Sequence, residues 1–278
     1  MAMTGWAHRI GVAVVLAGAA PRGLTAQSTV LAQHVTLSLV PQLSTAAPST
    51  TTGLALRLEI EPGWHVYFAH AGQSGIPTRV TWHLPAGVSV DSLRWPVPDK
   101  LVTEGLISHV YSGHAVLFTT IHLHNPSGPV RIGATVTFGA CQAQCLQGKA
   151  ELTLAIPLGK PEVNPQWRSF TADYFSLPTA ITGLTARAVR RSGALEVWLS
   201  PPRAVPSHSG PLTFFPLDPA VLDTCVTASL VRSAQHVSLF LGKPNPGATR
   251  LRGILTGWAG RALRVDVAIG SEAMDERR

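Results

Sequence analysis

Short runs in which every second residue is apolar constrain this chain more than any other feature. The run LALRLEI at 54–60 has leucine or isoleucine at alternate positions, with Arg57 and Glu59 between them. A period of two puts alternate side chains on opposite faces, as in a half-buried β-strand. The turn sequences EPGW, LPAG, HNPSG and LQGK separate such runs. The pattern therefore predicts a β protein, and the further runs lie at 35–40, 64–69, 79–84, 115–123, 131–138 and 151–158.

The spacing of these runs predicts how the chain is divided. About seven short strands within roughly 130 residues are typical of an antiparallel sandwich of immunoglobulin-like architecture, which we predict over residues 28–160. Residues 161–179 are rich in proline and aromatic residues, and we interpret them as a linker with a short helix. Alternation then resumes and predicts a second, smaller β domain over 180–270, from the runs 194–200, 212–217, 236–242, 252–258 and 262–269.

Both ends of the chain differ from the rest. Arg9 precedes an apolar run at 10–20, and Ala26 offers a small residue before a polar start, as in a secretory signal peptide. The apolar run is shorter than the roughly 20 residues that cross a bilayer as a helix. We therefore expect residues 1–26 to be a cleaved signal peptide and the mature chain to be periplasmic or secreted, without spanning a membrane. Residues 271–278 form a charged tail.

The charge pattern argues against one class of partner. The formal net charge is +7, but charged residues make up only 13% of the chain, against about 25% in an average protein. The basic residues are scattered, and no block of lysine and arginine alternates with aromatic residues as a nucleic-acid surface requires. We expect no nucleic-acid partner.

Two of the three cysteines lie close together in the sequence. Cys141 and Cys145 stand in the connection between two predicted strands, and Cys225 is far from both. A fully extended chain would hold residues i and i+4 about 13 Å apart, too far for a disulfide, so a bridge requires a hairpin loop or a helical turn between them. Disulfides persist in exported proteins. We expect a Cys141–Cys145 bridge and an idle Cys225 thiol.

Three roles are open for this pair. A structural bridge around three residues would constrain the unfolded chain little. A metal site would need further ligands, for which His122 and His124 on one strand face are candidates. In a redox pair, the short loop keeps the second thiol beside the first, so that a mixed disulfide is resolved rapidly. The spacing by itself does not decide between these roles.

An ordered set of motifs narrows the choice. It consists of EPGWHVYFAHAGQSGIPTRVTWHLPAGVSV at 61–90, LRWPVPDK at 93–100, HVYSGHAVLFT at 109–119 and CQAQCLQGKAELTLAIPLG at 141–159. The later runs LTFFPLD at 212–218 and LRGILTG at 251–257 continue it. Taken together, the set resembles the N-terminal periplasmic domain of DsbD- and ScsB-type thiol:disulfide interchange proteins.

This resemblance implies a function as well as an immunoglobulin-like fold. Cys141 and Cys145 would be the catalytic pair that relays reducing equivalents without a cofactor or a metal, with Cys145 contacting the partner and Cys141 resolving. The implied partners are periplasmic thioredoxin-fold proteins, including those of cytochrome c biogenesis. The family's membrane domain is absent from this sequence, so a separate membrane electron transporter is expected. The alternatives are a non-catalytic binding module with a structural disulfide and a copper-binding or copper-tolerance protein.

The resemblance further implies a loop that shields the disulfide. By position this loop is 99–113, with Leu106, Ile107 and Tyr111 as candidate shields. The sequence also departs from the family pattern: Phe138 stands where a tryptophan usually precedes the first cysteine, and Leu146-Gln147 replaces an Ile-Pro after the second cysteine.

Overall fold

The computed structural model describes residues 27–180, 185–191, 194–200, 212–218, 221, 229–232, 237–258 and 260–270. The predicted signal peptide, Cys225 and the predicted charged tail lie outside these residues. Most of the described chain is β-strand, as the alternation of apolar residues predicted. Among the described residues, no helix has the length and apolar character needed to cross a bilayer.

The first domain is a sandwich of two antiparallel sheets, which confirms the predicted immunoglobulin-like fold class. Its strands are β1 (Thr29–Ala32), β2 (Val35–Pro41), β3 (Leu43–Thr45), β4 (Thr51–Ile60), β5 (His65–Gly72), β6 (Arg79–His83), β7 (Val88–Val90), β8 (Asp99–Thr103), β9 (Leu106–Ser112), β10 (His114–Leu123), β11 (Val130–Cys141) and β12 (Cys145–Ile156). One sheet has the order β1-β2-β4-β10-β7 and the other the order β12-β11-β5-β9-β8, with β6 also paired to β11.

The core of this sandwich lies between the two sheets. Leu56 and Leu117 from one sheet and Phe68, Ile132 and Val136 from the other are almost fully buried in one cluster. Burial alternates along β4 and β11, so the apolar residues that define the period of two in the sequence face inward. Removal of this apolar surface from water is the main force that holds the sheets together.

A short connection follows the sandwich and packs on its outer surface. β13 (Glu162–Val163) pairs with β3, a 3-10 helix spans Pro165–Phe170, and α1 spans Thr171–Ser176. The side chain of Asn164 accepts a hydrogen bond from the backbone N–H of Gln166 and so caps the 3-10 helix. Phe170 is buried on the outer face of the first sheet in a cluster that includes Val40, Ala55, Val116, Phe118 and Leu177.

The second β domain is one seven-stranded sheet. Its strands are β14 (Thr185–Arg191), β15 (Ala194–Ser200), β16 (Thr213–Pro216), β17 (Ser229–Arg232), β18 (Val237–Leu241), β19 (Arg250–Trp258) and β20 (Arg261–Gly270), in the spatial order β16-β19-β20-β14-β15-β18-β17. All neighbours are antiparallel except β14 and β20, which run parallel. Phe214 belongs to this domain's own core, whereas Phe215 and Ile254 join the core of the first sandwich.

Candidate functional site

Cys141 and Cys145 form a disulfide at the tip of the β11–β12 hairpin, with their Cα atoms 4.1 Å apart. The two strands pair continuously from Val130↔Ile156 to Cys141↔Cys145. Between the cysteines the chain turns, and the N–H of Gln142 donates to the carbonyl of Gln144 at 3.0 Å. Of the two geometries that the spacing allowed, the structure has the hairpin loop.

The two cysteines differ sharply in exposure. Cys141 is only 2% exposed, whereas Cys145 is an exposed residue. The sheet order explains this difference, because Cys141 ends an inner strand that is flanked by β12 and β5, and Cys145 begins the edge strand β12. At this end Cys141 is paired with His65 of β5 on the side away from Cys145. Cys145 is therefore the more accessible residue of the pair.

A tyrosine hydroxyl points at the buried sulfur. The Oη of Tyr67 donates to the Sγ of Cys141 at 3.2 Å and lies 3.9 Å from the Sγ of Cys145. The Nε2 of His65 lies 3.4 Å from the same hydroxyl. Burial raises the pKa of Tyr67 and lowers the pKa of His65. Near neutral pH the phenol thus keeps its proton and is able to donate it in a hydrogen bond to a Cys141 thiolate.

Tyr67 and His65 were not predicted as site residues. Residues two apart on a strand share a face, so the sequence HVY already puts these two side chains on one side of β5. The sequence did not show that β5 pairs with the cysteine end of β11, which the register Cys141↔His65 establishes. The sequence therefore indicated that His65 and Tyr67 share a face of β5, but it did not indicate that β11 is the neighbouring strand.

Apolar side chains and a glycine complete the buried side of the site. Cys141, Tyr67, Ala71 and Val110 form one buried cluster, against which Leu101 packs. The ring of Tyr67 also lies against the backbone of Gly75, where φ is +107° and a Cβ atom would overlap the ring. The position needs glycine for both reasons.

Leu106, Ile107 and Tyr111 were expected to cover the disulfide, but other residues of the segment 99–113 pack beside it. Tyr111 is only 5% exposed and belongs to the sandwich core, and its hydroxyl donates to the carbonyl of Pro96 at 2.8 Å. Strand alternation directs it inward, so Tyr111 as a shield is wrong. Leu106 is 44% exposed near the turn of the β8–β9 hairpin, and the N–H of Ile107 bonds to the Gln73 side chain. The residues of this segment that pack in the cysteine cluster are Val110 and Leu101.

The cation nearest in sequence to the pair is already paired. Lys149 lies on the exposed face of β12 that also carries Cys145. Its Nζ is 2.6 Å from the Oε1 of Glu151, and both side chains are well exposed. The hydrogen bond and charge of Lys149 lower the pKa of the Glu151 carboxyl. Because this pair is solvated and nearly neutral, it places little net charge near Cys145.

The histidines considered as metal ligands have partners of another kind. The ring nitrogens of His122 lie 3.1 Å from the Oγ1 of Thr51 and from a carboxylate oxygen of Asp91. The Nε2 of His124 lies 3.1 Å from the Oγ of Ser89. Within the part of the chain that the structure describes, no three His, Cys, Asp or Glu side chains are grouped closely enough to hold a metal ion. These contacts give the copper-binding alternative no support.

One family model matches the part of the chain that contains the disulfide. Residues 36–157 match the family model described as "Thiol:disulfide interchange protein DsbD, N-terminal". The match covers less than half of the chain, and it makes residues 36–157 similar to the N-terminal domain of DsbD-type proteins. The family and the Cys141–Cys145 bridge together support thiol–disulfide exchange as the general chemistry. The resemblance seen in the sequence motifs is thereby confirmed for the DsbD-type domain.

One solved structure extends the likeness in fold to the second β domain. The N-terminal periplasmic domain of ScsB from Proteus mirabilis matches 86% of this chain over 94% of its own length, with a TM-score of 0.59 and 15% identity. The reduced N-terminal domain of DsbD from Neisseria meningitidis matches 45% of this chain over 89% of its own length, with a TM-score of 0.27 and 17% identity. No curated protein sequence matches the chain.

Proposed function

We propose that this protein exchanges thiols and disulfides with protein partners through Cys141 and Cys145, and that Cys145 is the sulfur that meets the partner. The difference in exposure between the two cysteines is the observation that carries this proposal. The attacking sulfur has to approach the partner disulfide in line with the sulfur–sulfur bond that breaks. Of the two cysteines, only Cys145 is exposed enough for a partner protein to come this close.

The exchange proceeds in two balanced steps. The Cys145 thiolate of the reduced domain attacks one sulfur of the partner disulfide, which breaks that bond, forms a mixed disulfide and releases the other partner sulfur as a thiolate. The Cys141 thiolate then attacks the Sγ of Cys145, forms the internal bridge and releases the second partner sulfur. Two electrons pass to the partner, and the released thiolates take up two protons from solvent. A dithiol donor must then reduce the internal bridge again.

The hydroxyl of Tyr67 assists whichever step charges Cys141. When a donor thiolate attacks Cys145 of the oxidised domain, the leaving group is the Cys141 thiolate. The hydroxyl lies 3.2 Å from that sulfur, and a hydrogen bond to a charged group is stronger than one to a neutral group. It therefore stabilises the leaving thiolate.

A purely structural bridge at this position would add little to the stability of the hairpin. The β11–β12 hairpin is already paired along its whole length up to the two cysteines. The bridge closes a loop of only three intervening residues, for which the loss of unfolded-state entropy is small. A redox role accounts for both the short loop and the tyrosine donor.

The match to the DsbD N-terminal family model supports partners of the thioredoxin fold. We propose that these partners are periplasmic and that a separate membrane electron transporter supplies the reducing equivalents. The domain with the same fold from Proteus mirabilis is described as periplasmic, which supports export of this chain as well.

The reduction potential of the pair tests this proposal. The protein would be equilibrated with graded mixtures of reduced and oxidised glutathione, and the fraction of bridged Cys141 would be read by mass mapping. A Cys225→Ser variant is the control for the third thiol. We expect a potential above about −300 mV, whereas a value below about −300 mV would identify a structural bridge.

A further inference from the structure

We infer that Phe215, in the second β domain, is a positioning residue for the disulfide in the first. It supports β9 from the core side, and β9 in turn keeps Val110 against Tyr67 and Cys141. The inference builds on the proposed function of the pair, because it describes how that site is held. It also gives the second domain a role in the chemistry.

The pairing of β9 with β5 is interrupted next to the site. Three residue pairs, His65↔Ser112, Val66↔Tyr111 and Tyr67↔Val110, precede a break in register, and pairing resumes only at Gly72↔Ser108. The backbone ladder is thus discontinuous immediately beyond Tyr67. An interrupted ladder holds a strand less firmly than a continuous one, so side chains must supply part of the support.

His109 of β9 lies opposite this break, and its side chain contacts the backbone of β5 in place of a backbone hydrogen bond. Its Nδ1 lies 3.0 Å from the carbonyl oxygen of His70, and the N–H of Gly72 donates to the Nδ1 of His70 at 3.1 Å. The imidazole of His109 is fully buried. The contact between His109 and His70 joins β9 to β5 where their backbones do not pair, and the contact between Gly72 and His70 holds His70 within β5.

Phe215 covers His109 from the second domain. The two rings pack edge to face with centroids 4.8 Å apart, and Phe215 is only 4% exposed within the core cluster of the first sandwich. Phe68 approaches the same imidazole at 6.3 Å. His109 is therefore held between an aromatic ring of its own domain and one from the other domain.

Strand alternation carries this support to the disulfide. His109 and Val110 are neighbours on β9, so their side chains point to opposite faces of the sheet. His109 faces Phe215, and Val110 belongs to the cluster of Tyr67, Ala71 and Cys141 on the other face. If β9 moves away from β5, Val110 moves with it, and Val110 is both a packing neighbour of Cys141 and the strand partner of Tyr67. The Cys141 sulfur then becomes accessible and loses a firmly placed donor.

The adjacent residue provides a matched control. Phe214 and Phe215 are neighbours on β16 with similar burial, 2% and 4%. Phe214 faces the core of the second domain, and Phe215 faces the first. Phe214→Leu and Phe215→Leu delete the same atoms from the same strand, and only the second change reaches β9.

The test measures alkylation of both cysteines in the full-length reduced protein. Timed reaction with iodoacetamide followed by mass mapping gives the ratio of the Cys141 rate to the Cys145 rate. We expect Phe215→Leu to raise this ratio at least about fivefold, which corresponds to about 1 kcal/mol in local opening. We expect Phe214→Leu to leave the ratio within about twofold of the unchanged protein. Equal ratios in the two variants would overturn the inference.

A second readout separates positioning from general stability. Loss of a well-placed Tyr67 donor disfavours the reduced form, so Phe215→Leu should change the equilibrium constant with glutathione about fivefold, or about 20 mV toward more negative potentials. Phe214→Leu should leave the potential unchanged, and a shift shared by both variants would contradict the inference. If Phe215→Leu does not fold, the pair Phe215→Met and Phe214→Met decides by the same two measurements.

Alkylation needs no partner protein, so this test and that of the proposed function fail separately. A potential below about −300 mV in the unchanged protein would reject exchange. The alkylation ratio would still report whether Phe215 positions β9.

Discussion

The two sulfurs of one bond occupy different environments in this protein. Cys141 ends an inner strand, is 2% exposed and accepts a hydrogen bond from Tyr67. Cys145 begins an edge strand, and the face that it shares with Lys149 is open to solvent. The hairpin places the two residues directly opposite each other. Their different burial follows from the strands that they belong to, because β11 is an inner strand and β12 is an edge strand.

This contrast shows how a symmetrical bond gains a direction. In the proposed exchange, a thiolate from outside attacks Cys145, and the electrons of the broken bond go to Cys141, where the Tyr67 hydroxyl is in place to stabilise them. The sheet thus separates the sulfur that is attacked from the sulfur that leaves.

The largest effect is expected from acid, which should destabilise the fold at His109, the residue that joins β9 to β5. Burial lowers the pKa of His109 from 6.5 to about 4, with smaller effects from the His70 carbonyl, which raises it, and from the charges of His70 and Lys100, which lower it. The unfolded chain therefore binds this proton first as the pH falls. The stability due to neutral His109 is complete above about pH 6.5 and is lost between about pH 6.5 and pH 4, at a cost of about 3 kcal/mol.

Urea unfolding at pH 7 and at pH 4.5 measures this loss. A His109→Gln variant serves as the control, because its glutamine does not titrate and its stability should differ less between the two pH values. An equal difference in both proteins would show that other groups cause the acid sensitivity.

Removal of the hydroxyl of Tyr67 should slow reduction of the bridge. Tyr67→Phe leaves the ring in place and deletes the donor to Cys141, so we expect reduction by dithiothreitol to be about tenfold slower, equivalent to about 1.4 kcal/mol in the barrier. Tyr111→Phe is the matched control, since the Tyr111 hydroxyl bonds to the Pro96 carbonyl instead. The control should reduce at the rate of the unchanged protein, and equal slowing of both variants would disprove the role of the Tyr67 donor.

The smallest effect on the rate of reduction is expected from Lys149, on the exposed face of β12. Lys149 is paired with Glu151 at the surface, and exposed ion pairs contribute about 0–1 kcal/mol. Lys149→Gln should therefore change the rate of reduction by less than about threefold, measured at low and at physiological salt. Glu151→Gln, which leaves Lys149 unpaired, is the companion variant. A loss of tenfold or more in Lys149→Gln would mean that this ammonium activates Cys145 directly.

Much of the fold was predictable because its signals are local. The alternation in 54–60 or 131–138 depends only on which residues face the core, and it predicted strands that the structure contains as β4 and β11. The spacing of Cys141 and Cys145 likewise predicted that they are able to bridge.

The features that were not predicted depend on which strands are neighbours. Nothing within HVY indicates that Tyr67 lies beside Cys141, because their contact requires β5 to pair with β11. The parallel pairing of β14 with β20 joins the first and last strands of the second domain. The inward direction of Tyr111, and hence the place of Val110 beside the pair, follows from the pairing of β9 with β5.

Covalent trapping tests the division of roles between the two sulfurs most directly. In a Cys225→Ser background, Cys141→Ser retains the exposed thiol and Cys145→Ser retains the buried one. Each reduced variant would be mixed with an oxidised thioredoxin-fold protein, and the complexes would be resolved on non-reducing gels and mapped by mass spectrometry. Cys141→Ser should accumulate a mixed disulfide at Cys145 that disappears with reductant, and Cys145→Ser should accumulate far less. Equal trapping by both variants, or more by Cys145→Ser, would contradict the assignment, and no trapping by either would contradict the exchange itself.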